Sequence, residues 1–252
     1  MPDVPNRRNR QADFARDLAR LGQEHRRELE TLLGDPPDIR HVPSGFWQRV
    51  ERDTDERIAE HLLLIFLLTA VRVGISRQSG DALAAAYARS KAIDSAKRHV
   101  DFVKDRIERA SRIWRDRAES GLPITQADIR DKTLPTLGPT RSDVVATTLT
   151  TEASTAGTRA AVADINEQPP EEGKPPKPKV KLMWKLGPCK HCTFCPLVAG
   201  TDEDYYSQFI GGPPAHINCC CSTILVPATF RTKTPNTAEV NLAARGSNVF
   251  GI

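Results

Sequence analysis

All six cysteines of this 252-residue chain fall inside one stretch, Pro188 to Cys221. Cys189, Cys192 and Cys195 form a first cluster, and Cys219, Cys220 and Cys221 a second. His216 stands three residues ahead of Cys219. C-x2-C steps followed by H-x2-C-x-C are the spacing of a closed metal site, and thiolate and imidazole donors on two loops select Zn²⁺ over hard cations. The ligand set read from this spacing is Cys192, Cys195, His216, Cys219 and Cys221, with zinc as the ion. The stretch offers more donors than a tetrahedral ion takes. Cys189, His191 and Cys220 are the first to leave out, and His191 is expected as an exposed loop residue. The register stays open: Cys189 with Cys192 competes with Cys192 and Cys195, and Cys219 competes with Cys221.

The rest of the chain favours this reading over a disulfide framework. Disulfide-built folds are short, secreted and dense in cysteine along their whole length, whereas here most of the chain has none. The opening residues MPDVPNRRNRQADF lack the apolar core of a signal peptide. A reducing compartment is therefore expected, with thiolates on metal instead of cystines. The formal net charge is +4, which permits contact with DNA without arguing for it. The longest apolar run, Leu62 to Val71, spans about 15 Å as a helix, half a bilayer core. A buried helix is expected there, and no membrane partner.

Hydrophobic periodicity makes the chain mainly α. Phe14, Leu18, Leu21, Leu29 and Leu32 mark a helix from Gln11 to Leu33, ended by Gly34-Asp35-Pro36-Pro37. Ser44 caps a second helix, with Trp47, Val50, Ile58 and Leu62 on its face, stopping near Gly74. Asp81 to Ile93 is Ala-rich and helical. Val100, Val103, Ile107, Ala110 and Trp114 mark another helix, its charged face read as solvated i,i+4 pairs. Ile124 to Leu134 gives a short helix before Pro135. Ser142 caps a helix through Ala163 with a small-residue face, weakened by Gly157. Gln168 to Lys179, QPPEEGKPPKPK, is a linker by composition. Val180 to Trp184 and Ser222 to Val226 are β-prone and pair across the cysteine stretch. The fold expected is a helical N-terminal region (residues 1–137), a connecting helix (138–167), the linker (168–179), a small α+β module with short strands around a Cys/His zinc site (180–228), and a mobile tail (229–252).

Two catalytic readings fail on the residues. Pro188-Cys189-Lys190-His191-Cys192 fits half of the zinc nucleobase deaminase signature, but the H-x-E half that carries the proton-shuttling Glu is absent. The upstream histidines read HRR, HVP, HLL and HVD. A cysteine nucleophile with His216 as its base needs one exposed thiol of low pKa, which clustered thiols at ligand spacing do not offer. A closed set of protein ligands leaves no position for catalytic water, so a structural site without enzymatic activity is expected.

At these residues the sequence resembles the phage Mu F-like minor head protein family, also called phage head morphogenesis proteins. The family carries a C-terminal pattern close to W…C-x2-C-x2-L-x-G…P-P-x-H-x2-C-R-C. The matching residues are Trp184, Cys192, Cys195, Gly200, Pro213, Pro214, His216, Cys219 and Cys221, and PPAHINCCC aligns with the end of the pattern without a gap. Cys220 stands where the family usually has Arg, Cys189 is extra, and Leu197 is displaced by one. Thr151-Glu152 resembles the family's Thr-Glu before a small-residue run. The resemblance covers Ser142 to Val226. It implies a minor capsid component found in the virion, and in the host cytoplasm during assembly. It implies partners among the portal, scaffold and major capsid proteins of a phage, with packaged DNA as a further candidate. The competing reading is a zinc-ribbon-like nucleic-acid-binding protein using Lys179, Lys181, Lys185 and Lys190, opposed by the acidic Asp202-Glu203-Asp204.

Overall fold

The computed structural model describes residues 6–169, 175, 178–187, 191–209, 212–214 and 219–246. The helices are α1 (Arg7–Leu32), α2 (Ser44–Val73), α3 (Arg77–Glu119), α4 (Gln126–Leu137) and α5 (Pro139–Glu167). A smaller region follows, with β1 (Val180–Lys185), α6 (Cys195–Val198), α7 (Glu203–Tyr206), β2 (Ser222–Pro227) and α8 (Thr237–Gly246). The protein is mainly α, and its described residues include one two-stranded antiparallel sheet beside the cysteines. No helix among the described residues is long and apolar enough to cross a membrane.

The Ala-rich segment and the segment at Val100 to Trp114 are one helix of 43 residues, α3, not two. Nothing between them breaks a helix. Ala84, Ala88, Ala92, Ala96, Val100, Val103, Ile107, Ala110 and Trp114 are all buried, a single stripe at steps of three and four. Its outer face closes on itself through i,i+4 pairs, Arg98 with Asp94, Lys97 with Asp101, Arg109 with Asp105 and Arg112 with Glu108. That is the solvated face expected of it.

Two helix ends also differ from the sequence reading. α4 runs through Pro135 to Leu137. The proline falls in its last turn, so the bond it cannot make to the Asp131 carbonyl leaves little helix beyond it to disrupt. The helix starts at a capping box in which Thr125 and Asp128 satisfy each other's backbone donors. α5 starts at Pro139, ahead of Ser142, because proline fits the first helical position. Ser142 instead donates its hydroxyl to the Gly138 carbonyl at 3.2 Å.

The chain forms two compact units that cut across the divisions read from the sequence. One joins Gln11–His61 with Ala88–Ala146, and the other joins Met1–Arg10, Leu62–Tyr87 and Thr147–Ile252. The reason is length: α1, α2, α3 and α5 each contribute to both. The first unit has its core at Leu29, Leu33, Phe46, Trp47, Val50, Val103, Ile107 and Trp114. In the second, the apolar run of α2 supplies Phe66 and Ala70, which pack with Ile75, Ala84 and Ala161.

The second unit also holds the small sheet. β1 and β2 pair from Val180↔Pro227 to Lys185↔Ser222, each one residue longer than expected. Leu182 and Trp184 alternate inward. Asn166, near the end of α5, brackets the strand start by accepting from the Val180 N–H and donating to its carbonyl.

The segment expected to be a mobile tail is held by this region. The Lys233 N–H donates to the Gly200 carbonyl at 2.9 Å, and the Tyr205 hydroxyl donates to the Pro235 carbonyl at 3.0 Å. α8 then buries Val240 and Ala244 in the core around the cysteines. One i,i+4 apolar pair in a polar segment gives little periodic signal, and it acquires meaning only when a neighbouring surface accepts it. Residues 247–252 lie outside the described set.

Gly157, which weakens α5 as a helix, is required by packing. A Cβ there would stand 2.6 Å from the Phe66 carbonyl oxygen of α2. Alanine adds up to about 1 kcal/mol of helix propensity, but overpacking costs about 1–3 kcal/mol, and a backbone carbonyl cannot turn aside. Gly157→Ala is therefore expected to lower the urea midpoint. A midpoint unchanged or raised would contradict this close approach.

Candidate metal centre

The site forms where the hydrogen-bonded end of β1 brings two loops together. Trp184 donates its N–H to the Thr201 carbonyl and accepts from Gly200, at 2.8 and 2.9 Å, so the first loop folds back on the strand. Its indole sits edge-on to Phe194 and Tyr206, with ring centroids 6.2 and 5.3 Å away. These rings, with Val198 and Phe209, make the apolar floor on which Cys195, Cys219 and Cys221 are buried.

The sulfurs of Cys195, Cys219 and Cys221 all lie within 4.8 Å of one another, close enough to hold one metal ion. Cys195 and Cys219 are 4.0 Å apart, and Cys192 lies 3.5 Å from Cys195. Four sulfurs about 2.3 Å from a tetrahedral ion stand about 3.8 Å from each other, so both separations match tetrahedral edges. Cys192, Cys195, Cys219 and Cys221 are free thiols. The second loop explains its own register. Cys219 and Cys221 are buried while Cys220 between them is half-exposed, the alternation of an extended chain leading into β2. Both outer cysteines thus face the site, and the choice between them disappears.

Cys220 is disulfide-bonded. The expectation that the cysteines are thiolates, not cystines, fails at this position, although Cys220 was already outside the ligand set. His216 and Cys189 lie outside the described residues. Of the expected cysteines, Cys195, Cys219 and Cys221 stand together, and Cys192 lies outside that group, beside Cys195.

His191 departs from its expected role as an exposed loop residue. It is half-buried, with Nδ1 3.8 Å from the Cys221 sulfur. Gly187 is a second residue the motif did not reveal. A Cβ there would fall 1.9 Å from the Cys220 carbonyl oxygen, so only glycine lets the two loops meet. Thr151 is a third, donating its hydroxyl to the Cys219 carbonyl at 2.8 Å. A Thr-Glu pair ahead of small residues was the one sequence signal that touched it.

The electrostatics of the cluster are those of a site waiting for positive charge. Cys195 and Cys219 direct their S–H groups at Cys221, and the Gly187 N–H and the Trp184 indole add to this, so the Cys221 thiol ionises well below the ordinary range. The Trp184 indole N–H is buried without a hydrogen bond inside ordinary limits, and its help to Cys221 is that of a nearby dipole. Cys195 is pushed far up by sharing its proton with Cys219 and Cys221 and by burial. One thiolate is favoured and the next opposed. A dication held by these sulfurs would remove that opposition and let the remaining thiols release their protons.

Two basic residues near the site are ion-paired. Lys181 is paired with Asp202 at 2.8 Å, and Asp202 also accepts from Thr232. Arg159 of α5 is paired with Glu203. Of the three acidic spacer residues, Asp202 therefore holds the module to itself and Glu203 ties it to α5. No family model, curated protein or solved structure matches the chain.

Serine at Cys195, Cys219 or Cys221 is expected to abolish stoichiometric metal, and at Cys192 to weaken it, while Cys220→Ser keeps the full complement. Elemental analysis of the reduced, purified variants checks this. Full metal retained by Cys195→Ser would contradict the geometry.

Proposed function

We propose that the chain is a minor head protein of a phage, acting in prohead assembly near the portal, with its C-terminal module pinned by zinc and no catalytic activity. The observation that carries the reading is the meeting of the two cysteine loops at Cys195, Cys219 and Cys221, with Cys192 beside Cys195, residues on which the Mu F-like pattern falls. The donor set is soft and sulfur-rich, as zinc and not a hard cation prefers. Trp184 and Gly200, two further members of the pattern, hydrogen-bond to each other beneath the site.

Zinc would supply shape to a region with a small core of its own, on the order of 10 kcal/mol for comparable structural sites. In this reading the chain docks through its helices on portal, scaffold or major capsid protein, inside a virion. The nucleic-acid reading is the weaker of the two, since Lys181 is spent on Asp202 and the charges of α3 are spent on one another.

Zinc removal with a chelator is expected to make residues 180–246 sensitive to trypsin while the unit holding Trp47 and Trp114 stays folded. Expressed with the other head genes of its phage, the protein is expected to co-purify with proheads in a few copies. Proheads that lack it entirely would overturn the assembly role. A salt-dependent shift with duplex DNA would favour the nucleic-acid reading instead.

A further inference from the structure

Thr151 is wholly buried on α5, one of several hydroxyl residues on a face that would ordinarily be apolar. Its Oγ1 has two acceptors within reach. One is the Thr147 carbonyl at 3.0 Å, the bond a helical threonine makes inside its own helix. The other is the Cys219 carbonyl at 2.8 Å, 68 residues away in sequence. A hydroxyl has one proton to give, and the Cys219 bond is the shorter. The same oxygen accepts from Arg7 Nη2 at 2.5 Å. A chain of hydrogen bonds therefore runs from the guanidinium in the first turn of α1, through the Thr151 hydroxyl, to the backbone of a cysteine whose sulfur stands 4.0 Å from Cys195.

The direction of this chain matters. A dication held by four thiolates leaves a buried net charge of about −2. Each bond in the series points its positive end at the cysteines, and a charged donor at the far end polarises the hydroxyl between them. Groups that orient a ligand's backbone or side chain typically alter metal affinity about 10–100-fold. The carbonyl that Thr151 holds belongs to the loop that an ion at Cys219 would close.

We propose that Thr151 is a positioning residue of the metal centre, and that Arg7 docks on it in a metal-linked manner. This rests on the zinc reading above. An ion held by Cys219 fixes the carbonyl on Thr151, the aligned hydroxyl receives Arg7, and loss of the ion loosens both. Linkage makes the effect reciprocal: whatever factor zinc adds to Arg7 docking, Arg7 adds to zinc affinity. The first turn of α1 thereby reports whether the centre is loaded.

The test uses the full chain and zinc itself, titrated against a competing chelator. Thr151→Val removes the hydroxyl at nearly constant volume, and Thr151→Ser restores it. The expected result is about 10–100-fold weaker zinc binding for Thr151→Val, recovery with Thr151→Ser, and a smaller loss, roughly three- to tenfold, for Arg7→Gln. Cobalt-substituted Thr151→Ser and Arg7→Gln should keep the wild-type absorption spectrum, because no ligand has changed. Arg7 is only half-buried, so Arg7→Gln decides the matter if Thr151→Val does not fold. General loosening of the module cannot explain a folded, zinc-replete Arg7→Gln chain that releases its ion more readily. Wild-type zinc affinity in Arg7→Gln, or no rescue by serine, overturns this proposal alone. A wild-type chain that binds no zinc overturns it together with the reading beneath it.

Discussion

Three buried sulfurs within 4.8 Å of one another cannot all be ionised without a cation among them. Much of the C-terminal architecture serves to bring them there. The Trp184 backbone folds the first loop onto the strand, the absence of a side chain at Gly187 lets the second loop approach, and chain alternation turns Cys219 and Cys221 the same way. The rings of Trp184, Phe194 and Tyr206 keep water from the sulfurs, which raises the cost of unpaired charge there and sharpens the preference for a metal. Protons shared among the thiols relieve that cost in the absence of a cation.

The module is not an independent bead on a linker. α5 supplies Thr151 to the second cysteine loop, Arg159 to Glu203 and Asn166 to the start of β1. Its small face lets it lie close on the apolar half of α2, where Gly157 meets the Phe66 carbonyl. The small residues that make α5 weak as a helix are what make it useful as a packing surface. The same compact unit contains α8, whose Val240 and Ala244 complete the core around the cysteines.

Much of the secondary structure was legible. The stripe of Phe14, Leu18 and Leu29 and the run from Val100 to Trp114 carry enough periodic apolar residues to declare helices without tertiary context. Val180 to Trp184 and Ser222 to Val226 were legible as strands because β-prone residues flank the cysteine stretch. The continuity of α3 was obscured because alanine contributes little hydrophobic contrast, although Ala84, Ala88, Ala92 and Ala96 are all buried. α8 escaped because a single apolar pair is below what periodicity can resolve. His191 escaped because a histidine between two cysteines looks alike whether it faces solvent or Cys221.

By itself the sequence determined the helical character and the chemistry of the site, because propensity, hydrophobic period and ligand type are local properties of neighbouring residues. It also singled out Cys195, Cys219 and Cys221, which the structure brings together, since their spacing is written in the chain. Only the tertiary structure decided the register of the second loop, the disulfide at Cys220, the approach of His191 and the reach of Thr151 to Cys219. Each of these depends on how two distant backbone segments meet, and that is set by packing, for which the one-dimensional pattern has no coordinate.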